Sequence, residues 1–324
     1  MPAIITNKFR LNNAEQFSES FSETANEVYY LGIGRPHPFG TATRPDGRTD
    51  YEGTDTLPNT PADSMGREFY TFDDLVAAKR IQSSDVSFVI PRRNWTAGTI
   101  YDTYRHDYGE YTTGSTSVRK TSNSGATTLF DSNFYVLSSA RNVYKCLDNN
   151  GGATSTDEPT GVSTSVISTN DSYKWKFMYT LSAAQQANFL STDFMAVSSN
   201  ANASSDQSNV ISAAVDGSID VVKIKTPGSG GTNGTFTGIP IRGDGSGGVA
   251  TVVVSGGAVT SVTVTTPGTG YTFATISNSQ IVAAGATSLS GSELDVIIPP
   301  KGGHGANAQE ELGAFFVMMN TSLE

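Results

Sequence analysis

Cysteine, long apolar runs and positive charge are all scarce in this 324-residue sequence. The single cysteine, Cys146, excludes an internal disulfide framework, and its neighbours Val143, Tyr144 and Leu147 indicate a small core residue rather than a nucleophile. No apolar run reaches the length of a membrane-spanning helix, and the apolar start at Met1 is too short for a signal-peptide core. We therefore expect a soluble protein, made and assembled in a cytoplasm.

The scarcity of positive charge bears on possible partners. The chain has 21 lysines and arginines against 31 aspartates and glutamates, for a net charge of −10. An acidic surface repels nucleic acid and anionic membranes, so neither is an expected partner. The low charged share, 16%, argues against a disordered chain. Glycine, in contrast, is abundant at 33 residues, which favours turns and short strands over long helices.

Histidine is too sparse to suggest a metal centre. His37, His106 and His304 lie far apart in loops, without a second histidine or cysteine at ligand spacing. Asp102 and Asp107 flank His106, but the i, i+4 spacing from Asp102 would need a helix that the local Tyr/Thr/Gly content disfavours. We expect no catalytic, cofactor-binding or metal site. A glycosidase-like pair of carboxylates stays open as an alternative.

The chain is organised around a short apolar stretch at residues 86–90, which predicts a buried strand. Pro91 ends this strand, because proline cannot donate to a sheet, and Arg92, Arg93 and Trp95 follow at once. An arginine can stack on an indole ring and pair with a carboxylate, so these residues can fix a corner of the fold. The same residue types form interface hot spots, and the two roles are compatible.

Elsewhere, apolar spacing predicts short elements. Helices are expected at 11–21, 71–80 and 181–190, the last two opened by capping boxes. The Pro/Gly-rich stretch 40–68 is long enough to be a binding arm. The Gly-rich stretch 243–248 precedes a strand and not a helix, so it predicts a hairpin turn rather than a phosphate-binding loop. Strands are expected at residues 28–33, 134–137, 142–147, 173–179, 294–298 and 314–319.

A change in composition near residue 197 divides the chain. Beyond it, residues 216–230 and 256–270 are two copies of one pattern, namely a hairpin turn, an alternating strand and a Thr-Pro-Gly turn. We therefore predict a mainly β, β-sandwich-like fold with a few short helices and an additional small Gly-rich β-domain. The predicted parts are a β-rich domain at 1–197, a linker at 198–209, the Gly-rich repeat β-domain at 210–280 and a C-terminal segment at 281–324 that returns to the first domain.

Five motifs occur in order along the first part of the chain. They are residues 3–10 (AIITNKFR), 33–39 (IGRPHPF), 89–95 (VIPRRNW), 143–148 (VYKCLD) and 172–179 (SYKWKFMY). Together they resemble the baseplate wedge protein of contractile-tailed bacteriophages, the gene-product-eight family. The resemblance covers roughly residues 1–195 and does not extend to the Gly-rich repeat.

The resemblance implies a non-enzymatic, mainly β structural protein of the virion, which forms a homodimer in the tail baseplate beside other wedge proteins. Its function would be to hold neighbouring wedge proteins together and to take part in the rearrangement that triggers sheath contraction. The structural or interface candidates are Arg35, Pro91, Arg92, Arg93, Trp95, Tyr144, Tyr173 and Trp175. The alternative is a receptor- or glycan-binding tail module, suggested by the repeat and by the Tyr-rich loop 101–111, because aromatic faces stack on sugars.

Overall fold

A computed structural model describes residues 5–23, 28–34, 75–108 and 122–322. In these ranges the chain is mainly β, with sixteen strands in several small antiparallel sheets and five short α-helices, so the predicted fold class is confirmed. None of the helices in the described ranges is long and apolar enough to cross a membrane. The chain divides into two compact units, residues 1–88 with 315–324 and residues 89–314.

The first unit contains a capped helix, α1 (Asn7–Ser20). The hydroxyl of Thr6 accepts a hydrogen bond of 3.2 Å from the backbone N–H of Phe9, which satisfies one of the free donors at the start of the helix. The predicted helix at 11–21 is therefore correct in type and begins earlier. Its buried residues are Leu11 and Ala14.

The rest of the first unit is extended chain. β1 (Tyr30–Gly34) pairs antiparallel with β2 (Leu75–Arg80). β16 (Phe316–Met319) lies beside β3 (Val86–Pro91), whose first three residues belong to this unit. The helix predicted at 71–80 is wrong from Leu75 onwards, because hydrogen bonds to β1 satisfy the backbone of this apolar run and override its helical spacing.

The second unit begins with a four-stranded sheet of order β4-β5-β7-β6. The central strands confirm the predictions at 134–137, 142–147 and 173–179. The strands are β4 (Tyr135–Leu137), β5 (Asn142–Asp148), β6 (Ile167–Ser168) and β7 (Lys174–Thr180). β8 (Phe194–Ala196) pairs with the end of β3, and α2 (Ala183–Phe189) lies between β7 and β8, capped by Ser182 as predicted.

Residues 205–213 form a helix, α3 (Ser205–Ala213), where the composition predicts a linker. The hydroxyl of Ser204 caps it by accepting from the backbone N–H of Gln207 at 3.3 Å. Val210 is completely buried and belongs to the same apolar cluster as Trp175. The structure differs from the linker prediction because Gln207 and Val210 are both buried, and the amide of Gln207 donates to Ser198 O at 3.3 Å, which orders this polar stretch.

The Gly-rich region folds around its own apolar core. Three sheets contribute to this region, with pairings β10-β12-β13, β9-β15 and β11-β14. The elements are β9 (Val222–Ser229), β10 (Gly234–Pro240), β11 (Arg242–Gly243), β12 (Val249–Ser255), β13 (Ala258–Thr266), β14 (Ala274–Thr275), α4 (Asn278–Ala283), β15 (Ser290–Val296) and, beyond that core, α5 (Ala308–Leu312).

The two sequence copies adopt related backbones but different pairings. Gly228 and Gly268, at equivalent places in the Thr-Pro-Gly turns, both have positive φ, 71° and 68°, which glycine adopts without strain. The strand of the second copy, β13, pairs with the preceding strand β12 across the predicted hairpin turn, whereas the strand of the first copy, β9, pairs with β15. The start of each copy meets the end of the other, because the N–H of Ile219 donates to Pro267 O and that of Gly231 donates to Gly257 O.

The core of the Gly-rich region extends past the predicted boundary at residue 280. It includes five buried residues from the following segment, which are Ile281, Ala286, Leu289, Val296 and Ile298. The physical reason is that β9 needs a hydrogen-bonding partner, and β15 supplies it. Residues 89–314 form one compact unit, so no boundary between units falls at 198–209.

Candidate functional site

The corner after β3 is held by hydrogen bonds to backbone carbonyls. Arg92 donates from Nη1 to Ser191 O at 2.8 Å. The guanidinium of Arg93 donates to Ser132 O and, at 3.2 Å, to Phe130 O, and it lies 4.6 Å from the centre of the Tyr135 ring. The predicted arginine–indole stacking is therefore replaced by stacking on a tyrosine from the adjacent strand.

Trp95 and Pro91 complete this corner. The indole N–H of Trp95 donates to Ser155 Oγ at 3.1 Å, and its half-buried ring packs against the aromatic core. The carbonyl of Pro91 accepts from the hydroxyl of Tyr135 at 2.8 Å. Arg35, the other predicted member of this group, lies outside the described residues.

Tyr144, Tyr173 and Trp175 are core residues, each with no exposed surface. Tyr173 stacks on Trp175 with ring centres 5.5 Å apart, and the hydroxyl of Tyr144 donates to Gly161 O at 2.7 Å. These side chains therefore stabilise the sheet from inside and are not exposed for a partner.

The sequence reading missed a buried charge cluster, which includes two lysines in the central sheet. Lys145 in β5 and Lys176 in β7 are register partners, so their side chains lie on the same face. Both are buried, at 0% and 4% exposure. Like charges in this position repel, and burial lowers the pKa of each lysine. The arrangement therefore needs compensating negative charge.

Glu311 supplies that charge to Lys145. This residue of α5 is 4% exposed, and its Oε2 contacts Lys145 Nζ directly. Its Oε1 accepts from the backbone N–H of Gly305 at 2.8 Å and of Asn307 at 3.1 Å. The carboxylate thus has partners on both oxygens, as a buried ion requires.

Asp220 and His304 adjoin the two lysines. Burial raises the pKa of Asp220, against the opposing fields of Lys176 and Lys145. Burial lowers the pKa of His304 well below 6.5, and both lysines lower it further. Nδ1 of His304 has no hydrogen-bond partner among the described residues, and its ring meets that of Tyr104 edge-on at 5.0 Å.

A cavity of about 450 Å³ opens beside this cluster, lined by Lys176, Asp220 and His304 among others. A second cavity, about 530 Å³, is lined by Asp148, Lys174 and several hydroxyl groups. Each of these two cavities is lined by a single carboxylate, so neither has the paired acids that a glycosidase mechanism needs.

The residues around His106 do not form a common site. Asp107 pairs with Arg105 at 2.8 Å, whereas Asp102 accepts from the backbone N–H of Ser124 at 3.0 Å. Nδ1 of His106 accepts from the N–H of Ile298 at 3.3 Å. In the part of the chain that the structure describes, no three His, Cys, Asp or Glu side chains are grouped as metal ligands.

The sequence contains a local signal for the two buried lysines of the charge cluster, but none for the burial of Glu311. Each lysine lies inside a predicted strand between aromatic or apolar neighbours, where a charge is out of place. Glu311 is separated from Lys145 by 166 positions, and nothing in its local sequence indicates burial. A scan against models of known protein families finds no match to this chain, and a search of curated proteins finds none either.

Proposed function

We propose that this protein is a structural subunit of a phage tail baseplate wedge, which holds neighbouring wedge proteins together and takes part in the rearrangement that triggers sheath contraction. It acts without catalysis, as a homodimer in contact with other wedge proteins in the virion, after assembly in the host cytoplasm. The proposal rests on the five motifs at residues 3–10, 33–39, 89–95, 143–148 and 172–179.

The observation that carries the proposal is how the motif at residues 89–95 uses its polar groups. Arg92, Arg93 and Trp95 direct their donors at carbonyls and a hydroxyl of the same chain. These bonds join the corner to three separate segments of the chain, at Phe130, Ser155 and Ser191, and so hold it in place. A rigid framework of this kind suits a protein that transmits force between neighbours.

The ribbon of β1 and β2 supports a role inside an assembly. It exposes large apolar side chains, with Tyr30 67% and Val76 63% exposed. A two-stranded ribbon is marginally stable by itself in water, so packing against a further surface would stabilise it. We expect this ribbon to be covered by a neighbouring subunit in the particle.

The alternative, a receptor- or glycan-binding tail module, is weakened at two tyrosines of the loop 101–111, whereas Tyr108 is half-buried and Tyr111 lies outside the described residues. Tyr101 and Tyr104 of the Tyr-rich loop are 1% and 4% exposed, so their rings offer no free face to a sugar.

Cross-linking mass spectrometry on gradient-purified particles of the phage that encodes this chain tests the proposal. We expect cross-links from the chain to itself and to baseplate proteins. Absence from the particles, or cross-links only to distal fibres, would overturn the wedge proposal and favour receptor binding.

A variant in the corner adds a second readout. Trp95→Ala should lower the yield of assembled particles, because it removes the indole N–H bond to Ser155 and the packing of the ring. Arg242→Ala, at an exposed polar side chain, is the control and should assemble normally. An unchanged particle yield for Trp95→Ala would contradict a role for this corner in assembly.

A further inference from the structure

Lys145 and Glu311 form a contact that is unusual because both partners are buried. Keeping two full charges out of water carries a large desolvation cost, which the attraction between them offsets only in part. Burial also lowers the pKa of Lys145, which favours its neutral amine, the nucleophilic form. A pair in this state has a chemical route to lower energy, which is to lose its charges by forming a bond.

The two oxygens of Glu311 have different surroundings. Oε1 accepts from the backbone N–H groups of Gly305 and Asn307, at 2.8 and 3.1 Å, whereas Oε2 faces the amine of Lys145. Two backbone donors on one carboxyl oxygen are the arrangement of an oxyanion hole, which stabilises the negative charge of a tetrahedral intermediate. A side chain at Gly305 would meet Val210 at 2.4 Å, so the donor loop is packed closely in place.

We propose that Lys145 and Glu311 condense to an isopeptide cross-link. The ammonium first transfers a proton to Oε2, which gives a neutral amine and a carboxylic acid. The amine nitrogen then attacks Cδ, and the charge that develops on Oε1 is held by the two N–H groups. The bond from Cδ to Oε2 breaks, and Oε2 leaves as water with a second proton from the nitrogen. One amide and one water result, so the reaction needs no oxidant, cofactor or other reactant.

Asp220 adjoins the reacting pair. It lies in the same buried region, where its charge acts on both Lys145 and Glu311. Burial raises the pKa of Asp220, which favours its neutral form and limits its effect on the charges of the reacting pair. Among the described residues no hydrogen bond joins Asp220 to Lys145 or Glu311, so it takes no direct part in the bond-forming steps.

The cross-link would tie β5 to α5 across 166 positions of the chain. A bond that closes so long a loop restricts the unfolded chain and raises stability. It would also keep the residues before the last strand attached to the central sheet under load. This inference rests on the charge cluster alone and does not depend on the wedge proposal.

Intact-mass spectrometry of the denatured full-length protein tests the proposal. We expect the wild type to be lighter than its sequence by the mass of one water, and Lys145→Met to have the full sequence mass. Lys176→Met replaces the other buried lysine of the same face and should keep the water loss. On a denaturing gel, the cross-linked wild type should migrate faster than Lys145→Met.

Peptide mapping distinguishes the Lys145–Glu311 cross-link from other reactions that remove one water from the protein. Succinimide formation at Asp216-Gly217 or Asp244-Gly245 would also remove one water but would leave linear peptides. The cross-link requires a branched peptide that contains both Lys145 and Glu311. A wild-type protein with the full sequence mass, or with both residues recovered only in linear peptides, would overturn the proposal and leave an ion pair. The mass and the peptide map of the wild-type protein decide between cross-link and ion pair, so the test remains valid even if a variant fails to fold.

Discussion

At the scale of single residues, long polar side chains act as internal braces in this protein. Arg93 shows this most clearly, because it binds two carbonyls of the segment before β4 and stacks on Tyr135 in that strand. A planar guanidinium can do both at once, whereas a lysine ammonium offers no flat surface for stacking. An arginine after a strand-ending proline therefore fixes where the next strand begins.

Replacement of Arg93 should destabilise the second unit. We expect Arg93→Ala to lower the free energy of unfolding by about 1.5–3 kcal/mol, the typical contribution of hydrogen bonds to a charged group. Arg93→Lys should recover only part of the loss. Urea unfolding followed by tryptophan fluorescence measures this, with the exposed Arg242→Ala as control. Equal midpoints for Arg93→Ala and Arg242→Ala would show that the brace contributes nothing.

His304 should make stability fall in acid. Its folded-state pKa is depressed well below the unfolded value of 6.5, because the ring is buried beside Lys145 and Lys176. The unfolded chain therefore binds the extra proton, and the stability present above pH 6.5 is lost as the pH falls below it. The slope for one proton is at most about 1.4 kcal/mol per pH unit.

The pH effect is measured as the urea midpoint over a pH series that crosses pH 6.5. His304→Phe keeps an aromatic ring against Tyr104 but cannot be protonated, so it should flatten the acid decline. Arg242→Ala, at an exposed side chain, is the control and should keep the wild-type slope. A decline of the same steepness in His304→Phe would assign the acid effect to other groups.

At the scale of elements, the Gly-rich region depends on a helix and a strand that follow the repeat. α4 inserts Ile281 into the core, and β15 forms the partner strand of β9. The repeat therefore completes its hydrogen bonds only when residues beyond both copies are present.

Truncation of Ile281 tests this dependence. Ile281→Ala should cost about 2–5 kcal/mol, because it leaves a cavity at a fully buried site. Hydrogen exchange should then show weaker protection of β10 and β12 than in the wild type. Val215→Ala, at a side chain that is 43% exposed, serves as the comparison and should leave protection unchanged. Unaltered protection in Ile281→Ala would place α4 outside this core.

At the scale of the whole molecule, the Gly-rich region is bound to loops that flank the preceding sheet, before β4 and after β5. Arg105 pairs with Asp295 at 2.7 Å, and Lys223 donates to Thr103 Oγ1 at 3.3 Å and to Asn149 Oδ1 at 3.4 Å. Residues 89–314 form one compact unit, so we expect them to fold together rather than as two domains joined by a linker.

Two shortened chains distinguish these possibilities. A fragment of residues 89–314 should fold alone and unfold cooperatively, as judged by circular dichroism and gel filtration. Deletion of residues 210–280 should give an aggregating protein, since it strips β15 of its partner and exposes Ile281 and Val296. If the deletion variant were soluble and folded cooperatively, the repeat would be a separate domain.

Local sequence determined the elements that carry a strong pattern of their own. β4, β5 and β7 were predictable because aromatic and β-branched residues fill both faces of short runs bounded by turns. The same holds for α2, which carries its own capping box, and for the buried environment of Cys146. These features depend on neighbours a few positions away, so the sequence alone contains the information.

Tertiary structure decided whatever depends on distant partners. Leu75–Arg80 is a strand because β1 pairs with it, and Ser205–Ala213 is a helix because Val210 reaches a core formed elsewhere. Lys145 can be buried only because Glu311, far along the chain, meets it. Pairing energies of this kind belong to no local segment, so residue spacing cannot reveal them before the chain is folded.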